Sequence, residues 1–186
     1  FIPVTIDELG DALLEGRGDI AGITLITPGR AEEFAYTTPI IDNINEVIVT
    51  RKSGPAISKL EDLSGQEVYV VKGSAQMESL ARLNDRLKKE GFAPIRVIQT
   101  ESYVAHENLL EMIHAGMIPA GVVPDAFAHL WKRVFKNLVI HEEIPVSTGM
   151  KAAWAVRKDN TELLASMNSA IASALRKKKK VFGKGF

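Results

Sequence analysis

The chain of 186 residues contains no cysteine, which removes disulfides, thiolate metal sites and cysteine nucleophiles at one stroke. A surplus charge of either sign is also missing. Its 23 basic residues face 23 acidic ones, so no broad positive field marks a nucleic-acid partner. No apolar run approaches the roughly 20 residues that a membrane-spanning helix requires. The chain opens at Phe1 rather than Met, and targeting is not legible in it. Histidines number four and are scattered. His106-Glu-Asn-Leu-Leu and His141-Glu-Glu-Ile-Pro begin like a zinc-protease helix but lack the second histidine four residues on. The adjacent pairs Glu32-Glu33 and Glu142-Glu143 do not face each other across a substrate and read as solvated charge.

What remains is ordinary globular material. Hydrophobic residues make up 46% and charged residues 25%, enough for a packed core and too apolar for disorder. The length suits one domain or two small lobes. Helix and strand signals alternate. Thr5-Ile-Asp-Glu8 reads as a capping box ahead of Leu9 and Leu13, with Gly16 and Gly18 ending that helix. A strand from Asp19 to Ile26 is followed by a turn at Thr27-Pro-Gly-Arg30, and a second strand runs from Asn45 to Arg51. Ser58 to Glu61 caps a short helix. The β-rich run Glu67 to Lys72 leads into a helix opened by Gly73-Ser74, with Met77, Leu80, Leu83 and Leu87 on one face.

Further strands are expected at Ile95 to Ile98, Ala120 to Val123, Leu138 to His141 and Ala152 to Val156. Helices are expected at about Ser102 to Ala115, from Pro124-Asp125 onward, and from the capping box Asp159-Asn-Thr-Glu162 onward. Such alternation predicts an α/β fold with a largely parallel sheet covered on both faces. The pattern breaks at Thr50 to Pro55 and at His141 to Gly149, which makes both stretches candidate crossings between lobes. Lobe one would then comprise residues 1–50 plus 150–186, and lobe two residues 51–149.

Most motifs carry little. Gly16-Arg-Gly-Asp-Ile-Ala21 has dinucleotide-like spacing, yet it ends a helix and enters a strand, the reverse of the required order. Arg17-Gly-Asp19 is an adhesion-like tripeptide that chance also produces. Lys177 to Lys180 reads as a solvated helix end. Three positions survive. Ser74 opens a helix directly after a strand, where free backbone N–H groups and the helix dipole favour a carboxylate, unless the serine is only an N-cap. Arg30 stands just past a strand end, where a guanidinium can fork onto a carboxylate or make a surface ion pair. Asp125 lies at the C-terminal end of a strand, where open α/β sheets bind ligands and where aspartate also serves as a cap.

The ordered set resembles the family 3 extracellular solute-binding proteins. It comprises Leu14-Glu-Gly-Arg-Gly-Asp-Ile-Ala21, Ile26-Thr-Pro-Gly-Arg30 and Phe34-Ala-Tyr-Thr-Thr-Pro39, then Leu60-Glu-Asp-Leu-Ser-Gly65, Val70-Val-Lys-Gly-Ser74 and Gly121-Val-Val-Pro-Asp125. Ala152-Ala-Trp-Ala-Val-Arg-Lys-Asp-Asn160, Leu163-Leu164 and Asn168 are similar to the sensor domain that precedes the catalytic domain of F-type membrane-bound lytic transglycosylases, and Val181-Phe-Gly183 to the linker that follows it. The resemblance implies a periplasmic binding protein type II-like fold: two lobes with parallel-rich mixed sheets, lobe one lacking the family's first strand and helix. It also implies a periplasmic location, outer-membrane associated through a longer parent.

By the same resemblance Arg30 would bind a ligand α-carboxylate, Thr24 would add one donor, Ser74 and Ala75 would add hydroxyl or backbone donors, and Asp125 would take the α-ammonium, in an interlobe cleft. The ligand would be an amino acid, short peptide or cell-wall fragment, with no cofactor and no metal. The partner would be a catalytic domain in the same polypeptide or, alternatively, an ABC permease. The transglycosylase pairing of Glu-Ser with Gly-Leu-Met-Gln is absent, so this chain is not expected to be an enzyme.

Overall fold

A computed structural model describes residues 1–182, and side chains as far as residue 176. The elements run α1 (Leu9–Leu14), β1 (Ile20–Leu25), α2 (Pro28–Glu33), β2 (Phe34–Tyr36), β3 (Ile41–Arg51), a 3-10 turn (Leu60–Leu63), β4 (Glu67–Val70), α3 (Gln76–Lys89), β5 (Arg96–Gln99), α4 (His106–Ala115), β6 (Ala120–Pro124), α5 (Asp125–Lys132), β7 (Leu138–His141), β8 (Ser147–Arg157) and α6 (Thr161–Phe182). The side chains of Lys177 to Lys180 and of Val181 and Phe182, and the whole of Gly183, lie outside the described residues. Two compact units form. The larger takes residues 3–9 and 43–150, the smaller 10–42 and the described residues from 151 onward. The chain therefore passes between units at 9/10, 42/43 and 150/151.

In the larger unit, β4 lies between β5 and β6 with parallel pairing, while β3 pairs antiparallel with both β6 and β7. The alternation of strand side chains sorts the core into two layers. Val47 and Val49 of β3 pack with Leu109, Leu110 and Ile113 of α4 and Ala128 of α5. Ile48, between them, points the other way and packs with Val68 and Val70 of β4 and Leu80, Leu83 and Leu87 of α3. Those three leucines recur at helical spacing, and all lie within the apolar layer. Burying each stabilises the fold by about 1.5–3 kcal/mol. Gly121 lets α4 press against β6, because a Cβ there would meet Ile113 Cδ1 at 3.1 Å and Leu109 Cδ2 at 3.2 Å.

In the smaller unit, β8 carries β1 and β2, both antiparallel. A bulge interrupts β1 between Ala21 and Thr24. Arg157 organises the segment from α1 to β1. Its Nη1 donates to Leu13 O at 3.0 Å and Gly18 O at 2.8 Å, and its Nη2 reaches Asp19 Oδ1 at 2.7 Å. The adhesion-like tripeptide thus has a structural role at Asp19. Asn168 of α6 accepts from Thr38 N at 2.7 Å, tying the helix to the loop after β2.

Three local expectations change. The sheet is mixed rather than largely parallel: β4 pairs parallel with β5 and β6, while β3 meets β6 and β7 antiparallel. Residues 28–33 form a helix and not a turn, because Thr27 is extended and its Oγ1 caps Arg30 N while Pro28 supplies a preset first helical residue. Helix α1 starts at Leu9, after the expected capping box rather than within it, with Thr5 N donating to Glu8 Oε2 at 3.2 Å.

Candidate functional site

On the smaller unit the α2 cap places Arg30 in the first turn of the helix, partly buried and directed back at β1. Its Nη1 donates to Thr24 Oγ1 at 2.7 Å and to Leu25 O at 3.1 Å. Thr24 therefore accepts from Arg30, and its own hydroxyl hydrogen remains a donor toward a third group. These two expected residues are in contact, and the pairing holds the planar guanidinium in one orientation. Such a fork matches a carboxylate.

On the larger unit Gly73 turns the chain after β4 with φ +71, a left-handed conformation suited to glycine. Helix α3 then begins at Gln76, two residues later than expected, because Ser74 and Ala75 form a preceding turn whose carbonyls accept from Met77 N and Glu78 N. Ser74 is not the N-cap. Its Oγ is buried without a hydrogen-bond partner, and Ala75 beside it is buried too. Buried hydroxyls without partners are uncommon and costly, so this one calls for a partner such as a ligand oxygen or water.

Asp125 is the first residue of α5, with Pro124 at the cap position. Its Oδ1 accepts from Ala126 N at 2.8 Å and its Oδ2 from Asn45 N at 3.2 Å. The carboxylate holds Asn45 within β3 and keeps capacity for further donors, having about four acceptor positions. Ser74 and Asp125 are not hydrogen-bonded to each other.

Other groups were not foreseen. Gln76 Nε2 donates to Glu46 Oε1 at 2.9 Å, and both side chains are fully buried. His106 Nε2 lies 3.4 Å from Gln76 Oε1, and the His106 ring stacks on Phe127 at 5.0 Å. This polar chain joins the starts of α3, α4 and α5, one position from Ala75 and two from Asp125. Burial pushes the His106 imidazole down to about 4, against the opposing effect of Glu107. The ring is neutral near pH 7 and acts as a packing and hydrogen-bonding group. Strand alternation marks Glu46 as a polar position and cannot reveal its buried partner 30 residues on.

Asp7 was legible only as part of a cap. In the structure its Oδ2 meets Lys72 Nζ at 3.0 Å and Ser102 Oγ at 2.9 Å. The Thr5 hydroxyl, then Lys72 and Ser102, hold its carboxyl well below the usual carboxylate range. Among the described residues no cluster of three or more metal-ligating side chains forms, and no helix is long and apolar enough to cross a membrane.

Residues 1–180 match the family model of bacterial extracellular solute-binding proteins, family 3. The chain belongs to that family. A membrane-bound lytic murein transglycosylase F from Maricaulis maris (strain MCS10) is 35% identical over 81 residues, 42% of this chain and 17% of that protein. ABC transporter arginine-binding protein 1 from Escherichia coli (strain K12) is 25% identical over 151 residues, 80% of this chain and 56% of that protein. The chain thus spans less than two thirds of either curated relative. Among solved structures, an ancestral arginine-binding protein bound to arginine superposes with a TM-score of 0.78 at 26% identity, covering 100% of this chain and 79% of that one. The family 3 fold is that of periplasmic binding proteins, α/β with mixed sheets, as the resemblance implied.

Proposed function

We propose that this family 3 chain binds one small zwitterionic solute, an amino acid, short peptide or cell-wall fragment, as the periplasmic regulatory domain of a peptidoglycan lytic transglycosylase. The observation that carries this reading is the buried Ser74 hydroxyl that has no hydrogen-bond partner. A guanidinium preset by Thr24 stands on the smaller unit, and this hydroxyl with an incompletely used Asp125 carboxylate on the larger. Arg30 and Thr24 take the solute carboxylate, Ser74 and Ala75 add donors, and Asp125 takes the ammonium. The two units act as the two lobes, and the solute biases a hinge equilibrium between conformations. The likeness to transglycosylase F relatives supports a fused catalytic domain and an outer-membrane association of the longer parent.

Calorimetry on the intact chain with a panel of amino acids and muropeptides tests this. A charge-assisted carboxylate–arginine bond contributes about 1.5–3 kcal/mol. Arg30→Ala should therefore weaken binding by roughly 10- to 100-fold, with Asp125→Ala weakening amino-bearing ligands alone. An affinity that neither substitution alters would refute the assignment. A second reading, the solute-binding component of an amino-acid ABC transporter, is favoured by the likeness to the E. coli arginine-binding protein. Release of anhydro-muropeptides by the longer parent separates the two: the transporter reading expects none.

A further inference from the structure

We infer that Lys72 and Ser102 form a carboxylate subsite on the larger unit, that Asp7 fills it from within the chain, and that an external carboxylate takes it over when Pro3–Leu9 lifts away. The geometry is a closed triangle. Asp7 Oδ2 lies 3.0 Å from Lys72 Nζ and 2.9 Å from Ser102 Oγ, and Lys72 Nζ lies 3.1 Å from Ser102 Oγ. The two donors come from different loops, one after β4 and one after β5, and they converge on a single oxygen. The Asp7 side chain is only 18% exposed there. Gly73 is what admits it: a Cβ at that position would stand 2.4 Å from Asp7 Cα and 2.8 Å from Asp7 N, so any other residue would push the segment off. Ile6, one residue before, packs on the apolar layer around Leu109 and Leu110.

The contact is also unfinished. Ser74 Oγ and Thr100 Oγ1, on the two loops that receive the segment, are both buried without a hydrogen-bond partner. A carboxylate that used both oxygens would satisfy hydroxyls that Asp7 leaves idle. Asp7 therefore acts as a weak internal occupant, and the segment that carries it leads directly into α1 and the smaller unit. The natural occupant, a carboxylate of the bound solute, rests on the solute-binding reading above. The subsite itself does not.

The probe is acetate, titrated against equal sodium chloride into the intact wild type and Asp7→Ala, following the Lys72 side-chain resonance and the melting temperature. Asp7→Ala should show a saturable Lys72 shift and a rising melting temperature with acetate, and wild type neither. Asp7→Ala/Lys72→Ala should lose the response. A Lys72 signal in Asp7→Ala that ignores acetate, or one that responds equally in wild type, overturns the subsite. Asp7→Asn keeps the shape and drops the charge, so it serves if Asp7→Ala does not fold. Hydrogen exchange of the amides from Val4 to Leu9 should quicken by about tenfold in it, and unchanged exchange overturns the latch. Acetate binding to Asp7→Ala without amino-acid binding to wild type would sink the solute reading and leave this one standing; the reverse would sink only the subsite.

Discussion

The two units spend their apolar residues differently. The larger sandwiches its sheet between two leucine- and valine-rich layers, with Ile48, Leu80, Leu87, Leu109, Leu110 and Ile113 fully buried. The smaller buries mainly small side chains, Ala12, Ala21, Ala152, Ala153 and Ala155 among them, and leaves Leu14, Ile20, Ile23, Ile40 and Ile41 exposed. Strand β1 buries only Ala21 outright. A large residue contributes more per buried position than alanine, so the larger unit holds most of the stabilisation. The smaller unit depends on directed polar contacts such as those of Arg157 and Asn168. Its response to mutation should be local, and that of the larger unit global.

The strongest way to break this comparison is to hollow the larger unit. Leu109→Ala should cost about 2–5 kcal/mol, read from the urea midpoint of the whole chain. A loss below 1 kcal/mol would mean that the core is not where the structure puts it. The second is acid. All four histidines fall within the larger unit. The folded pKa of His106 is near 4 against an ordinary value near 6.5, so the unfolded chain binds the proton first. Its contribution is complete above about pH 6.5 and disappears as pH falls toward 4, a loss of about 3 kcal/mol over that window. His106→Phe should flatten that part of the stability-versus-pH curve, and an unchanged slope would contradict the buried neutral ring.

A smaller and more local effect is expected from Arg157→Ala, which removes charged hydrogen bonds to Leu13, Gly18 and Asp19. About 1–3 kcal/mol should be lost. Hydrogen exchange should rise in residues 10–25 while amides of β4 and β6 keep their protection. Loss of protection in both units together would show that they unfold as one. The smallest effect belongs to Ile23→Thr on β1, with Ile23 51% exposed. Stability should stay within about 0.5 kcal/mol, and light scattering at high concentration should fall, since an apolar edge strand favours association.

Most elements were legible because their signals are local. Leu80, Leu83 and Leu87 announce a helix by spacing, and Val47 to Val49 a strand by composition. The misreadings come from competition between nearby signals. At Thr27-Pro28 the same dipeptide opens turns and helices, and the Thr27 hydroxyl decides for the helix. At Gly73-Ser74 the strand-to-helix transition takes two residues more than the motif suggests. The βα alternation argues for parallel neighbours, as β4 has in β5 and β6, whereas β3 meets β6 and β7 antiparallel, and the two together give the mixed sheet. Of the candidate residues, the Thr24–Arg30 contact spans six positions and could be guessed. The Asp7–Lys72 and Glu46–Gln76 pairs join distant segments, and nothing in either neighbourhood announces the partner.

The pairing of β1 with β8 sets an order of events during synthesis. Ile20 has its partner at Val156 and Leu25 its partner at Ala152, while residues 43–150 of the larger unit are one uninterrupted stretch. At ribosomal speeds of about 5–20 residues per second, β1 waits on the order of ten seconds for its neighbour. The larger unit can be complete by then. Throughout that interval Ile20 and Ile23 belong to an unpaired apolar strand, so the nascent chain is most in need of a chaperone while its sturdier half is already folded.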